Sequence, residues 1–285
     1  MSAINAHTRL CGLIGNPVEH SLSPAIHNAA FRELDLNYVY LAFKVEDLPA
    51  AIDGLRALGN ARGFSVTIPH KVAVIPLLDE VDATARHIGA VNTIVVERGR
   101  LLGSNTDASG AIRALEEGGV TLKGERVLIL GSGGAARAIA FALAARGDLE
   151  RLTILGIEDA ERRQLAADVR AKSALAVQDA PLGESELRAA LNDSRVLIHC
   201  TPLGMHPKVT QSCVPAPLLH RGLTVMDIVY NPRETRLLRD AKAAGCRIIP
   251  GLEMFLHQAI GQFELWTGRQ APAAVMRAVL ESRFQ

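Results

Sequence analysis

The sequence predicts an α/β fold in two domains, with a pair of C-terminal helices returning to the first. Three observations carry this. Short apolar runs alternate with longer segments of helical period almost from end to end, the pattern of βα units and of parallel sheets covered by helices. At 285 residues the chain exceeds the usual size of a single hydrophobic core, so two cores with a cleft between them are expected. The alternation also comes in two series, separated by a polar crossing near Asn105.

In the first series, Leu10 to Ile14, Tyr38 to Phe43, Arg62 to Thr67 and Val91 to Val96 read as strands, with helices near Ala25 to Leu34 and Leu48 to Leu58. The second opens with a compact apolar strand, Arg126 to Leu130, which runs into a glycine-rich turn and an Ala/Leu helix reaching about Ala145. Strands follow at Leu152 to Leu155, Ala174 to Gln178, Val196 to Cys200, Thr224 to Ile228 and Arg247 to Ile249. After Gly251 come two helices, Met254 to Trp266 and Pro272 to Glu281, with no strand to pair. The expected division is therefore residues 1–106, residues 107–251, and C-terminal helices over 252–285 that pack on the first domain.

Composition narrows the ligand. The apolar fraction of 48%, the charged fraction of 21% and the formal charge of +1 give no general attraction for nucleic acid or an anionic membrane, so a small molecule recognised locally is expected. Cys11, Cys200, Cys213 and Cys246 form no C-x-x-C pair, which argues against a disulfide framework or a metal site. The segment Met-Ser-Ala-Ile-Asn-Ala-His-Thr-Arg lacks an apolar leader core, and no run nears the roughly 18 apolar residues of a membrane span. A cytoplasmic protein, monomer or homodimer, is the expectation.

Gly131, Gly133 and Ala136 fill the small-residue positions of a G-x-G-x-x-G/A fingerprint, between a strand and a helix as its mechanism demands. Small residues let backbone approach a pyrophosphate, and free N–H groups at a helix start favour its charge. The fingerprint thus marks a Rossmann-type, doubly wound dinucleotide-binding domain, with Gly131, Ser132, Gly133, Gly134 and Ala135 in the phosphate loop. At the end of the next strand Glu158 lies 22 positions beyond Ala136, near the spacing of a ribose-binding acid. A carboxylate there repels a 2′-phosphate and favours NAD over NADP; in the competing reading Arg162 or Arg163 reaches that phosphate while Glu158 and Asp159 cap the following helix.

Four polar segments stand out in the first series. Ser21 and Ser23 precede Pro24 at a helix start, where Ser23 reads equally as a cap or as one of two hydroxyls gripping a carboxylate. Ser65 and Thr67 alternate on one strand face before Pro69, and Lys71 emerges where open α/β sheets bind ligands. Lysine supplies only six of the 31 basic residues, so Lys71 is a poor match for generic solubilising charge. Asn92 and Asp107 complete the set, Asp107 reading also as a simple helix cap. Strand ends of one sheet would gather hydroxyl, amide, amine and carboxylate, a set suited to a polyhydroxylated ligand.

The chain resembles the shikimate dehydrogenase family over nearly its whole length. The matching pieces are Gly15-Asn-Pro with Ser21-Leu-Ser23-Pro24, Val66-Thr67-Ile-Pro-His-Lys71, Ala90-Val-Asn92-Thr93, Gly103-x-Asn105-Thr106-Asp107-x-x-Gly110, Gly131-Ser-Gly-Gly-Ala135 and Gly251-x-x-Met254-x-x-x-Gln258. The resemblance implies that Lys71 and Asp107 are the catalytic pair and that Ser21, Ser23, Thr67, Asn92, Tyr230 and Gln258 hold the substrate. It also implies cofactor roles for Thr201, Gly204, Met205, Ile228 and Gly251, with Met205 near the nicotinamide. The implied reaction is reversible hydride transfer between nicotinamide C4 and the ring carbon bearing the 3-hydroxyl of shikimate, with Lys71 handling the proton.

Departures are Ser65 where the family commonly has Asn, His70 for Phe, Glu253 for Gly, and Gly156-Ile157-Glu158 where NADP-using members carry Asn-Arg-Thr. The last agrees with the NAD reading and admits quinate as a substrate, whereas Ser23 is of the shikimate type. The rivals are a paralogue acting on quinate or an aminated analogue, a silent ligand sensor on the same fold, and a dehydrogenase for an unrelated small substrate.

Overall fold

The structure, a computed structural model, describes residues 4–284; the first three residues, which belong to the stretch read above for a leader, and Gln285 lie outside it. The chain divides into two compact units, one holding the residues up to Thr106 with those from Gln258 on, the other Asp107–His257.

The first unit runs β1 (Arg9–Gly15), α1 (Ser23–Glu33), β2 (Tyr38–Lys44), α2 (Leu48–Ala57), β3 (Ala61–Val66), β4 (Glu80–Val81), α3 (Ala83–Ile88), β5 (Thr93–Glu97) and β6 (Arg100–Ser104). Its sheet has the order β2-β1-β3-β5-β6-β4. This sheet is mixed, not parallel as expected: β5 runs antiparallel to both β3 and β6. The two-residue turn Arg98-Gly99, whose left-handed φ values of 52° and 76° match a hairpin, makes β6 antiparallel to β5. An Arg-Gly pair between two apolar runs was the available signal for β6, which the sequence reading passed over.

One face of this sheet buries Phe64, Ile94, Leu101 and Ile52. On the unit's other elements the packing is aromatic. Trp266 is fully buried and its indole N–H donates to the Ile94 carbonyl at 3.0 Å. A Cβ on Gly63 would sit 2.0 Å from the Trp266 ring, so glycine there makes room for the indole. His27, also fully buried, stacks on Tyr40 at 4.6 Å and lies 5.1 Å from Trp266.

Among the described residues neither ring nitrogen of His27 has a hydrogen-bond partner, and burial pushes its pKa down to about 3. Unfolded, the same ring titrates near 6.5, so between these values the unfolded chain binds a proton that the native one refuses. Stability conferred by the neutral ring is therefore complete above about pH 6.5 and is lost as pH falls. The expected slope is about 1.4 kcal/mol per pH unit below 6.5. Urea midpoints of wild type and His27→Phe at pH 7 and pH 5 check this: the variant should lose the smaller amount, and equal losses would refute it.

The second unit runs α4 (Asp107–Glu117), β7 (Arg126–Leu130), α5 (Gly134–Arg146), β8 (Arg151–Gly156), α6 (Asp159–Lys172), β9 (Ala176–Pro181), α7 (Glu184–Asp193), β10 (Val196–His199), β11 (Thr224–Asp227), α8 (Arg236–Ala243), β12 (Arg247–Pro250) and α9 (Gly251–Thr267). Its sheet, β12-β11-β10-β7-β8-β9, is parallel throughout and doubly wound. The strand order reverses between β7 and β10, the point where such sheets bind ligands at their carboxyl ends. The return to the first unit comes after His257, inside α9, rather than at Gly251, and α10 (Ala273–Ser282) follows. Among the described residues no helix is long and apolar enough to cross a membrane.

Candidate active site

In the first unit, strand direction explains how distant segments share one sheet edge. β1 and β3 are parallel neighbours with Ile14 opposite Val66, so the loop bearing Ser21 and Ser23 leaves beside Thr67. Asn16 N–H donates to the Ile68 carbonyl at 2.9 Å, joining the two loops. Because β5 is reversed, its first residues lie at that same edge: Val66 N–H donates to Asn92 O at 2.7 Å, and Val91 N–H to Lys71 O at 2.8 Å. Lys71 is half-buried there. Leu22, not Ser23, occupies the cap position of α1; Ser23 is the first helical residue, and its N–H donates to Ser21 Oγ at 3.2 Å.

A polar chain runs behind this edge. Tyr40 donates to Ser65 at 2.7 Å, Ser65 to Gln262 Oε1 at 2.8 Å, and Gln262 Nε2 to Thr93 at 3.1 Å. Thr93 donates to Asn92 Oδ1 at 2.7 Å, and Asn92 Nδ2 to Thr106 at 3.0 Å. Every hydroxyl in it donates once, which fixes the direction and rigidifies the backbone that leads to Asp107. Asn92, expected to hold substrate, also accepts from Thr106 N–H at 2.8 Å. Sequence reasoning missed Gln262, which stands one turn beyond Gln258 on α9; that spacing was the signal for it. Gln258 itself is buried.

In the second unit, Asp107 is buried and is the first residue of α4. Gly131 has φ of +110°, and a Cβ on it would lie 2.9 Å from the Cys200 carbonyl oxygen, so only glycine fits between β7 and the loop after β10. Gly133 precedes α5 with no side-chain cap, and a Cβ there would meet nothing within 4 Å. Open space over an uncapped helix start is the surrounding a pyrophosphate requires, and Gly131, Ser132, Gly133, Gly134 and Ala135 are the residues that could hold it. A Cβ on Gly251 would lie 2.5 Å from the Ile228 carbonyl carbon, so that glycine too is required by close backbone approach. Gly204, with φ of +86°, turns the loop carrying Thr201 and Met205. Tyr230 packs on Phe255, ring centroids 4.3 Å apart.

Comparison with known proteins follows the same division. The profile of the shikimate dehydrogenase substrate binding domain matches residues 13–94, that of the shikimate 5′-dehydrogenase C-terminal domain residues 251–281, and that of the saccharopine dehydrogenase NADP binding domain residues 127–249. A shikimate dehydrogenase (NADP(+)) of Moorella thermoacetica is 48% identical over 98% of this chain and 95% of its own length. The chain belongs to the shikimate dehydrogenase family. It is an oxidoreductase of that type, dependent on a nicotinamide dinucleotide. Among solved structures, a shikimate dehydrogenase in complex with NADP+ is 41% identical, with a TM-score of 0.90 over 100% of this chain and 98% of that one. A quinate dehydrogenase of Corynebacterium glutamicum in complex with NAD is 33% identical, with a TM-score of 0.88 over 96% and 99%.

Against these family members, the expected preference for NAD is not supported: the NADP(+) in the relative's name runs against it. Glu158 is exposed at the start of α6 and makes no capping bond, so the reading of it as a helix cap finds no support. The other departures have local explanations. Ser65 links Tyr40 to Gln262, and His70 Nε2 lies 3.0 Å from the Val45 carbonyl. Glu253 joins Glu117 and His257, whose ligand atoms lie within 4.8 Å of one another. Arg113, 3.1 Å from Glu117, already places a cation beside that group.

Proposed function

We propose that this chain interconverts shikimate and 3-dehydroshikimate, and the single observation that carries the reading is the convergence of the Ser21/Ser23, Thr67–Lys71 and Asn92 segments on one sheet edge by the reversal of β5. Ser21, Ser23, Thr67, Asn92, Tyr230 and Gln258 hold the carboxylate and hydroxyls. Lys71 takes the proton of the 3-hydroxyl during oxidation and returns it during reduction, and Asp107 is the second member of the catalytic pair. When bound, the nicotinamide supplies the hydride acceptor or donor, and the protein supplies position and proton handling.

The relatives' names favour NADP. A second reading, NAD, rests on one observation in the second unit: Arg162 is buried and committed to Asp179 at 3.1 Å and to Asp159, so it is not available to a 2′-phosphate. Arg163 is exposed, 3.5 Å from Asp159. A steady-state assay crossing shikimate and quinate with NADP and NAD tests both points. The expected result is the highest kcat/KM for shikimate with NADP. A preference for NAD that weakens in Glu158→Ala upholds the second reading, and turnover of quinate alone overturns the substrate assignment.

A further inference from the structure

The loop after β10 is held by a buried chain that the reaction so far leaves unused. His199 and Asp227 end the adjacent strands β10 and β11, and both are essentially inaccessible to solvent. His199 Nδ1 lies 2.8 Å from Asp227 Oδ1, and Nε2 lies 2.5 Å from Thr201 Oγ1. Asp227 accepts two further bonds: Val229 N–H reaches Oδ1 at 3.0 Å and the Thr235 hydroxyl reaches Oδ2 at 2.6 Å. Nδ1 therefore carries a hydrogen. Burial opposes charge on the ring, but Asp227 and Cys213 outweigh it and push the pKa up to about 10, so Nε2 carries one too at neutral pH.

Thr201 Oγ1 thus accepts from His199, and Leu203 N–H also donates to it at 3.3 Å. With two donors on that oxygen, its own hydrogen is directed away from both. Thr201 stands at the carboxyl end of β10, against the phosphate-loop glycine Gly131, where the strand order reverses.

We propose that His199 is a positioning residue for the dinucleotide, holding the Thr201 hydroxyl so that it donates to a phosphate or ribose oxygen in the crevice at the ends of β7 and β10. This rests on the reading above that the loop after β10 belongs to the cofactor site. The pair His199–Asp227 is then an orienting device for a ligand contact, beyond its part in holding β10 to β11.

The test is equilibrium titration of the full chain with reduced dinucleotide, read by nicotinamide fluorescence, together with the KM for shikimate. Thr201→Val and His199→Leu are each expected to weaken dinucleotide binding about tenfold, the effect of one hydrogen bond, with the shikimate KM little changed. The double variant should be no weaker than either single one, because both remove the same contact. Thr201→Ser, which keeps the hydroxyl, should bind within about threefold of wild type. If His199→Leu fails to fold with Asp227 left unpaired, His199→Leu combined with Asp227→Asn removes the buried charge and takes its place in the cycle. Wild-type affinity in the His199 variants, with Thr201→Val weakened, overturns the inference alone; so do independent, multiplying losses. Unchanged affinity in Thr201→Val overturns the loop assignment and the inference with it.

Discussion

Lys71→Ala is expected to lower kcat for shikimate oxidation by on the order of 10²–10⁴-fold, the range that a positioned acid–base group contributes. The lysine follows β3 at the edge where the Ser21/Ser23 loop and Asn92 also emerge, and its carbonyl is pinned by Val91 N–H at 2.8 Å. Its backbone is therefore held, and in the proposed mechanism its amine carries the proton. Lys71→Arg should not restore turnover, since a guanidinium keeps its charge and cannot accept the substrate proton. Dinucleotide affinity, assigned in the proposal to the glycine loop of the other unit, should stay within about twofold in both variants, as a change elsewhere does not touch it. Single-turnover kinetics check the chemical step; full turnover in Lys71→Ala refutes the assignment.

Trp266→Ala has the largest expected effect on stability, a loss of about 3–5 kcal/mol for the first unit. The indole is fully buried, fills the space left by Gly63 and gives its N–H to the Ile94 carbonyl at 3.0 Å. Its own carbonyl accepts from Arg62 Nε at 2.6 Å, so this residue ties the end of α9 to β3. Truncation leaves a cavity beside His27 and removes the indole bond to the Ile94 carbonyl. It also loosens the helix that carries Gln258 and Gln262, so activity should fall at temperatures where the second unit remains folded. Urea unfolding followed by circular dichroism measures it, and a change below about 1 kcal/mol would show that the site collapses freely.

What the sequence could show follows the range of the interactions. The glycine loop is legible because its chemistry is local: strand, Gly131 to Ala136 and helix are contiguous. Lys71 is legible because a strand and Pro69 precede it directly. The direction of β5 is not, since alternation marks a strand without giving its sense, and the Arg98-Gly99 turn gives only the sense of β6 relative to β5. Gln262 escaped because its partner Ser65 lies 197 positions away. His199 escaped for a different reason: within an apolar run, its partners are fixed only when β10 and β11 pair. Tyr230 and Gln258 were reached through family likeness, as nothing in their spacing marks them.

The most direct measurement is the fate of the hydrogen on the ring carbon that bears the 3-hydroxyl. Shikimate deuterated at that carbon, turned over with the oxidised dinucleotide and wild-type protein, is expected to give reduced nicotinamide carrying the deuterium at C4 and unlabelled 3-dehydroshikimate. Deuterium kept in the acid or released to water would contradict the hydride transfer on which the account rests.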